Sequence, residues 1–172
     1  IIPAVENLIS GGELKPGDII KTRKGTTIEV GNTDAEGRLI LADALTLASE
    51  DKPDLILDFA TLTGAAHVAL GSDIVALFAN DDELAESITS SMLEEQEPIW
   101  RMPLHQPYVK HLKSDIADFN NISTSRNIGG GAITAALFLE QFVSSEIKWA
   151  HFDMYAANDA AKAGKPKGGE AM

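Results

Sequence analysis

Asp54-Leu55-Ile56-Leu57-Asp58-Phe59-Ala60 runs directly into Thr61-Leu62-Thr63-Gly64-Ala65-Ala66. The first seven residues form a nearly continuous apolar run of strand length. Such a run predicts a strand covered on both faces, as in the parallel or mixed sheets of α/β proteins. The small and polar residues after it then stand at the carboxyl end of that strand, where ligands collect in α/β sheets.

Working outward, the flanking segments keep the same alternation of strands and helices. Leu39 to Glu50 is apolar at Leu41, Ala44, Leu45 and Ala48, which predicts a helix, and Pro53 closes the segment. Asp73 to Ala79 and Lys148 to Asp153 have strand character. Residues 81–97 predict an amphipathic helix with Leu84, Ile88 and Met92 along one stripe. Asp81, Asp82 and Glu83 at its amino end are read as cap and solvated surface, favoured there by the helix dipole. The fold class expected is α/β: a mixed central sheet with helices packed on both faces, and residues 1–172 forming a portion of one domain.

The remaining segments are punctuated more heavily. Short apolar pieces fill residues 1–17 around Gly11-Gly12 and Pro16-Gly17, and residues 18–21 and 26–30 predict two strands about a Lys24-Gly25 turn. Residues 98–128 read as irregular, with Pro98, Pro103 and Pro107, a short helix near 107–113, and the polar run Asp118-Phe119-Asn120-Asn121. Loop-rich regions of that length are often functional or contact-forming. Gly129-Gly130-Gly131 opens an apolar segment, Ala132 to Val143, predicted to be a buried helix. A phosphate cradle would need a preceding strand and a Lys or Ser/Thr at fixed spacing. Neither is present, so the glycines are read as allowing close packing of a helix end.

Composition narrows the classes of function. The formal net charge is −12, from 14 basic and 26 acidic residues. That balance argues against nonspecific binding to nucleic acid or an anionic membrane, which needs basic surface. There is no cysteine, hence no disulfide framework and no thiolate metal site. A reducing cytoplasm fits that composition. No apolar run approaches a membrane span, and no signal-peptide pattern is visible at Ile1-Ile2-Pro3. The chain lacks an initiating Met and ends mid-pattern, so a fragment is expected.

Charge gathers in one place, Gly31-Asn32-Thr33-Asp34-Ala35-Glu36-Gly37-Arg38. If the backbone stays extended here, Asp34, Glu36 and Arg38 project on one face. Three adjacent charges at a buried strand end cost free energy unless paired or metal-bound. The alternative is a polar loop whose Asp caps the next helix and whose Arg pairs with a neighbouring acid. None of His67, His105, His111 and His151 has a two-histidine metal spacing, and no Gly-x-Ser-x-Gly elbow supports a serine nucleophile. His151, in a strand, is read as a core histidine, and His105 and His111 as surface residues. Asp43 is placed half-buried on its helix. Carboxylates without cysteine or paired histidine suit oxygen-ligated divalent ions or a two-metal hydrolytic site. Asp34 and Glu36 alone are too few ligands for two ions.

Asn32-Thr33-Asp34-Ala35-Glu36-Gly37-Arg38-Leu39 resembles the signature of the leucyl (cytosol) aminopeptidase family of dinuclear metallopeptidases. Further blocks follow in that family's order: Ile2 to Asn7, Lys15 to Asp18, Ala42 to Leu45, Ala60 to Ala65, Gly130 to Leu139 and Trp149 to Asp153. The resemblance covers nearly the whole chain and places it in the carboxyl-terminal part of the catalytic domain. It implies that Asp34 ligates one metal, partly through its backbone carbonyl, and that Glu36 bridges two divalent ions, zinc or manganese. It implies that Arg38 holds a bicarbonate acting as general base, and that the backbone at Thr61, Leu62 and Gly64 holds a peptide substrate. Cytoplasmic location and assembly into a homo-oligomer, a hexamer, follow by the same resemblance.

Two departures accompany it. The family's remaining ligands, a Lys and two Asp, and its catalytic Lys lie upstream of the block at Ile2. The chain alone is therefore expected to be inactive. The family also reads Asp-Ile-Ala-Gly where this chain has Asp153-Met154-Tyr155-Ala156. Tyr155 stands where a small residue lines the pocket for the first side chain, which predicts a reshaped pocket. A DNA-binding role, known for some members, is disfavoured by the charge. A plain structural domain is disfavoured by the Asn32–Arg38 match.

Overall fold

A computed structural model of the chain describes residues 1–5, 13–125, 127–158, 160–161 and 167–169. The expectations placed on Glu6, Asn7, Gly11 and Gly12, and on most of the tail, lie outside the described residues.

The chain begins with a small antiparallel hairpin. β1 (Ile19–Lys21) pairs with β2 (Thr27–Glu29), and β6 (Phe119–Asn120) adds in parallel to β2. Thr22 and Thr26 close the turn through side-chain and backbone hydrogen bonds, and Gly25 supplies the positive φ of 92° that the turn demands. From Glu29 the chain passes through a short 3-10 turn, Thr33–Ala35, into α1 (Gly37–Glu50).

Among the described residues the main sheet has four strands in the order β3-β7-β4-β5: β3 (Leu55–Ala60), β4 (Val75–Ala79), β5 (Ile99–Arg101) and β7 (Lys148–Asp153). β3 lies parallel to β7, β7 antiparallel to β4, and β4 parallel to β5. The sheet is therefore mixed, as expected. The register sorts side chains by the period of two. Ile56, Asp58, Trp149, His151, Ala76 and Phe78 share one face, and Leu57, Ala150, Phe152, Leu77 and Ala79 the other. α1 and α4 (Gly131–Glu140) cover the first face around Ile56 and Trp149. α2 (Gly64–Leu70) joins α4 over Ala76 and Phe78. α3 (Asp82–Glu94) covers the second face through Ala85, Leu84, Ile88 and Met92. Helices thus lie on both faces.

α4 is the deepest helix, with seven of its ten residues buried, which is what its all-round apolar sequence demands. Its amino end fits as the glycines suggest. A Cβ on Gly131 would approach the Cβ of Ala65 in α2 to 3.1 Å, and Gly130 sits at φ 63° against the Tyr108 ring. Asp81 caps α3 by accepting from the Leu84 amide at 2.8 Å, so the acids there do serve as cap and surface.

Several local expectations are corrected. β3 is buried on one face only: Leu55, Leu57 and Phe59 are 42%, 43% and 51% exposed. β3 is an edge strand, and α3 packs over β4, β5 and β7 without reaching it. An apolar run cannot say how far a covering helix extends. Phe59 finds partial cover by stacking on Phe152, centroids 4.4 Å apart. The segment after β3 forms α2, whose cap, Thr63, accepts from the Ala66 amide at 3.0 Å. The amphipathic helix is shorter than 81–97, because Glu95 is its cap and Gln96 turns to φ 60°. Residues 98–128 hold the strands β5 and β6 besides the expected short helix, which is a 3-10 segment, Gln106–Leu112. Asp43 is exposed and accepts from the Arg23 amide, so it is not half-buried. No helix among the described residues is long and apolar enough to cross a membrane.

Candidate active site

The backbone does not stay extended through Gly31–Arg38. Asn32 is the last extended residue, and its side chain accepts from the Asp34 amide at 2.9 Å to cap the 3-10 turn. α1 then begins at Gly37, with Glu36 at its cap position but making no side-chain cap bond. The period-two argument for one shared face is thereby overturned: a 3-10 turn running into a helix advances side chains about 100–120° per residue. The three charges separate by depth instead. Asp34 and Glu36 are exposed, and Arg38 is 8% exposed.

Arg38 is the buried charge of the site. Its Nη1 donates to the backbone carbonyl of Asn121 at 2.7 Å, while its Nε is buried without a partner. Burial pulls its pKa down to about 10, opposed by the carboxylates of Asp153 first and Glu36 second. A guanidinium remains charged at that value near neutrality. An unpaired, inward N–H on a planar fork is a donor left over for a small planar anion. The side chains of Asp34 and Glu36 make no hydrogen bond among the described residues.

The second part of the site lies where β3 and β7 end side by side, Ala60 opposite Asp153. Asp153 is 2% exposed, and its carboxylate holds the chain leaving β3. One oxygen accepts from the amides of Leu62 (2.9 Å) and Thr63 (3.1 Å), the other from the Thr63 hydroxyl (2.6 Å). The 61–63 segment is so fixed to the neighbouring strand, and the Thr63 hydroxyl also caps α2. Leu62 reaches back to the charged turn, since a Cβ on Gly37 would meet its Cδ1 at 3.8 Å. Glu36, Gly37, Thr61 and Leu62 share the wall of a groove of about 920 Å³ that continues along β3 and α1.

The residues expected at the site thus divide. Glu36, Thr61 and Leu62 meet on one groove, and Arg38 lies buried with the cost of its burial only partly offset by Asp153 and Glu36. Gly64 opens α2 directly after the fixed segment. Asp34 is exposed but does not line that groove. Tyr155 follows Asp153 and stacks on His67 of α2, centroids 4.3 Å apart and planes 17° apart. No group of three or more His, Asp or Glu side chains positioned to hold a metal occurs among the described residues. Asp34 and Glu36 offer the hard oxygen donors that divalent ions take. They fit part of a metal site and leave the rest of the ligands to residues outside it.

Spacing names Asp153 only as one of several carboxylates, His67 only as one of four histidines and Asn121 only within a polar run; it gives none of the three a role. The side chains of Asp153 and Asn121 act through hydrogen bonds to backbone 86 to 91 positions away, which leave no local pattern. His151 is a core histidine, as expected, and only half satisfied. Its Nδ1 pairs with Asp58 at 2.6 Å, beside the Trp149 indole N–H donating to the same carboxylate at 2.7 Å, and its Nε2 has no partner. His105 is exposed; His111 is partly buried, its Nδ1 sharing a hydrogen bond with Ser125 at 2.8 Å.

The fold of this chain is shared with solved aminopeptidases. The chain is similar to the cytosol aminopeptidase of Coxiella burnetii, at 55% identity and a TM-score of 0.91 over 98% of this chain and 36% of that one. It is similar to a mutant of tomato leucine aminopeptidase, at 44% identity and 0.87 over 96% of this chain and 32% of that one. The bottromycin maturation enzyme BotP matches at 42% identity and 0.87, over 93% of this chain and 36% of that one. Among curated relatives, a probable cytosol aminopeptidase of Prochlorococcus marinus is 53% identical over 154 residues, covering 90% of this chain and 31% of that protein. The profile of the cytosol aminopeptidase family, catalytic domain, matches residues 1–172. The chain belongs to the cytosol aminopeptidase family. It spans about a third of the length of the curated relatives it matches.

Proposed function

We propose that this chain is the carboxyl-terminal portion of the catalytic domain of a metal-dependent aminopeptidase, which releases amino-terminal residues from peptides. The observation that carries this reading is the groove where Glu36, beside the buried Arg38, meets the strand-end segment Thr61–Leu62. Membership of the cytosol aminopeptidase family supports it.

In this reading Asp34 and Glu36 would help hold a pair of divalent ions, zinc or manganese, Asp34 serving one ion and Glu36 both. When bound, such a pair supplies Lewis acidity towards the scissile carbonyl and an acidified water. The chain's own residues hold the anion and the peptide. Arg38 would hold a small planar anion, bicarbonate, through its unpartnered guanidinium N–H, and such an anion would supply a general base beside the metals. The backbone at Thr61, Leu62 and Gly64 aligns the peptide, and Asp153 keeps that segment in place. Tyr155, braced by His67, narrows the space for the first side chain. The 172 residues alone lack a full ligand set and are inactive, because two carboxylates cannot ligate two ions. A cytoplasmic setting and a homo-oligomer, a hexamer, belong to the same proposal.

The test is release of amino-terminal residues by the full-length protein, with manganese or zinc added, before and after chelation. Metal-dependent release is the expected result, and its absence would sink the proposal. For the 172 residues alone, calorimetry showing two tight divalent sites would refute the incomplete ligand set.

A further inference from the structure

Asn121 was marked by sequence only as part of a polar run, and the proposed reaction gives it no task. It is 0% exposed, and its whole side-chain hydrogen-bonding capacity is spent on one loop. Its Oδ1 accepts from the amides of Gly31 (2.8 Å) and Asn32 (3.2 Å). Its Nδ2 donates to the carbonyls of Asn32 (2.7 Å) and Ala35 (3.2 Å). Its backbone carbonyl accepts from Arg38, and its own amide donates to Glu29 at 3.0 Å, which ties it to the end of β2. A primary amide has two N–H donors and two lone pairs, and here all four are used on residues 31–35. The fit is close on the other side as well. A Cβ on Gly31 would fall 2.3 Å from the Asn120 Oδ1 and 2.9 Å from Ile122.

We infer that Asn121 is the positioning residue that shapes the Gly31–Arg38 turn, setting Asp34 and Glu36 in register with Arg38 for metal and anion binding. The inference rests on the proposed function. The 3-10 turn has no buried apolar side chain to hold it, so its conformation depends on polar ties. Asn121 grips Asn32 and Ala35, the residues on either side of Thr33 and Asp34, and binds Arg38 through its main chain. Loss of the side chain frees the turn while leaving the carboxylates chemically intact. An amide also does what a carboxylate cannot. In Asn121→Asp the second oxygen would face the carbonyls of Asn32 and Ala35 and repel them.

The test uses the full-length protein. Asn121→Ala and Asn121→Asp should each weaken manganese binding at least tenfold by calorimetry, at a temperature where circular dichroism shows both folded. The control is Asn80→Ala, which removes a structural amide that donates to Ile147 and accepts from the Trp149 backbone. It should lower the melting temperature yet leave the manganese Kd within twofold. In Asn121→Ala, amide exchange at Gly31 and Asn32 should speed at least tenfold, a readout that needs no metal or turnover. Unchanged metal affinity in both Asn121 variants, unchanged exchange in Asn121→Ala, or an equal loss of metal affinity in Asn80→Ala would each overturn the inference. Wild-type protein that binds no manganese would overturn the proposed function itself, and the inference with it.

Discussion

Replacing Asp153 with alanine removes three hydrogen bonds at once, from the Leu62 amide, the Thr63 amide and the Thr63 hydroxyl. A hydrogen bond to a charged acceptor contributes about 1.5–3 kcal/mol when fully buried. Leu62 and Thr63 are only half-buried, so water recovers part of each bond. The sum for the segment is about 2–4 kcal/mol of stability. Arg38 also loses the carboxylate that does most to offset its burial, so its pKa falls further below the ordinary value and the folded state pays more to keep it charged. Asp153→Asn separates the two effects. An amide oxygen can still accept from both backbone amides, while the charge opposite Arg38 is gone, so its cost is roughly half that of alanine. Urea denaturation of the three proteins measures the difference, and peptide hydrolysis by the full-length enzyme measures its consequence. We expect KM to rise at least tenfold in Asp153→Ala and less than threefold in Asp153→Asn, with manganese affinity unchanged in both. A loss under about 0.5 kcal/mol in Asp153→Ala, within the range of an ordinary surface change, would refute the anchoring role. Equal effects from alanine and asparagine would show that charge, and not the grip on the 61–63 backbone, is what matters.

Four further outcomes follow from the packing and the charges. Gly31→Ala places a methyl group against Asn120 and Ile122 and should cost about 1–3 kcal/mol in thermal or urea unfolding. Ala156→Gly should stabilise by about 1 kcal/mol in the same assay, because Ala156 sits at φ 50°, a region where Cβ is disfavoured. Asp81 is held below its ordinary pKa of 3.8 by the Leu84 amide and then by Lys148. It therefore stabilises the fold above pH 3.8 and stops doing so as pH falls through its lower native value. Melting curves of Asp81→Ala should lie below wild type at neutral pH and converge with it in acid. Tyr155→Ala removes the ring stacked on His67 and should shift kcat/KM of the full-length enzyme towards peptides with larger first side chains, measured on a matched substrate series.

How much of this was legible in the sequence depends on the range of the interaction. β3, α1, α3, α4 and β7 were found within a few residues, because each carries its own period or apolar run. Helices on both faces of a mixed sheet followed from their alternation. α2 was missed because Gly64-Ala65-Ala66 gives no hydrophobic stripe, although Thr63 is a good cap residue. β5 and β6 are three and two residues long and, unlike the equally short β1 and β2, have no hairpin turn beside them to mark them. The exposed face of β3 was misread for a different reason. Leu55, Leu57 and Phe59 are as apolar as a covered strand requires, and among the described residues α3 does not reach them.

The charged turn shows the same limit more sharply. Spacing put Asp34, Glu36 and Arg38 on one face only by assuming extended backbone, and Asn32 ends that conformation by capping a 3-10 turn. What the charges share is a support, not a face. Arg38 is buried and held by Asn121, Glu36 lies exposed on the groove beside Leu62, and Asp153 acts on both Arg38 and the 61–63 backbone. Two positions outside the charged turn, Asn121 and Asp153, thus determine where the recognisable residues stand. Signature residues can be found by pattern because their chemistry restricts their identity. Their supports are set by contacts across 83 to 91 positions of chain, and only the fold brings those together.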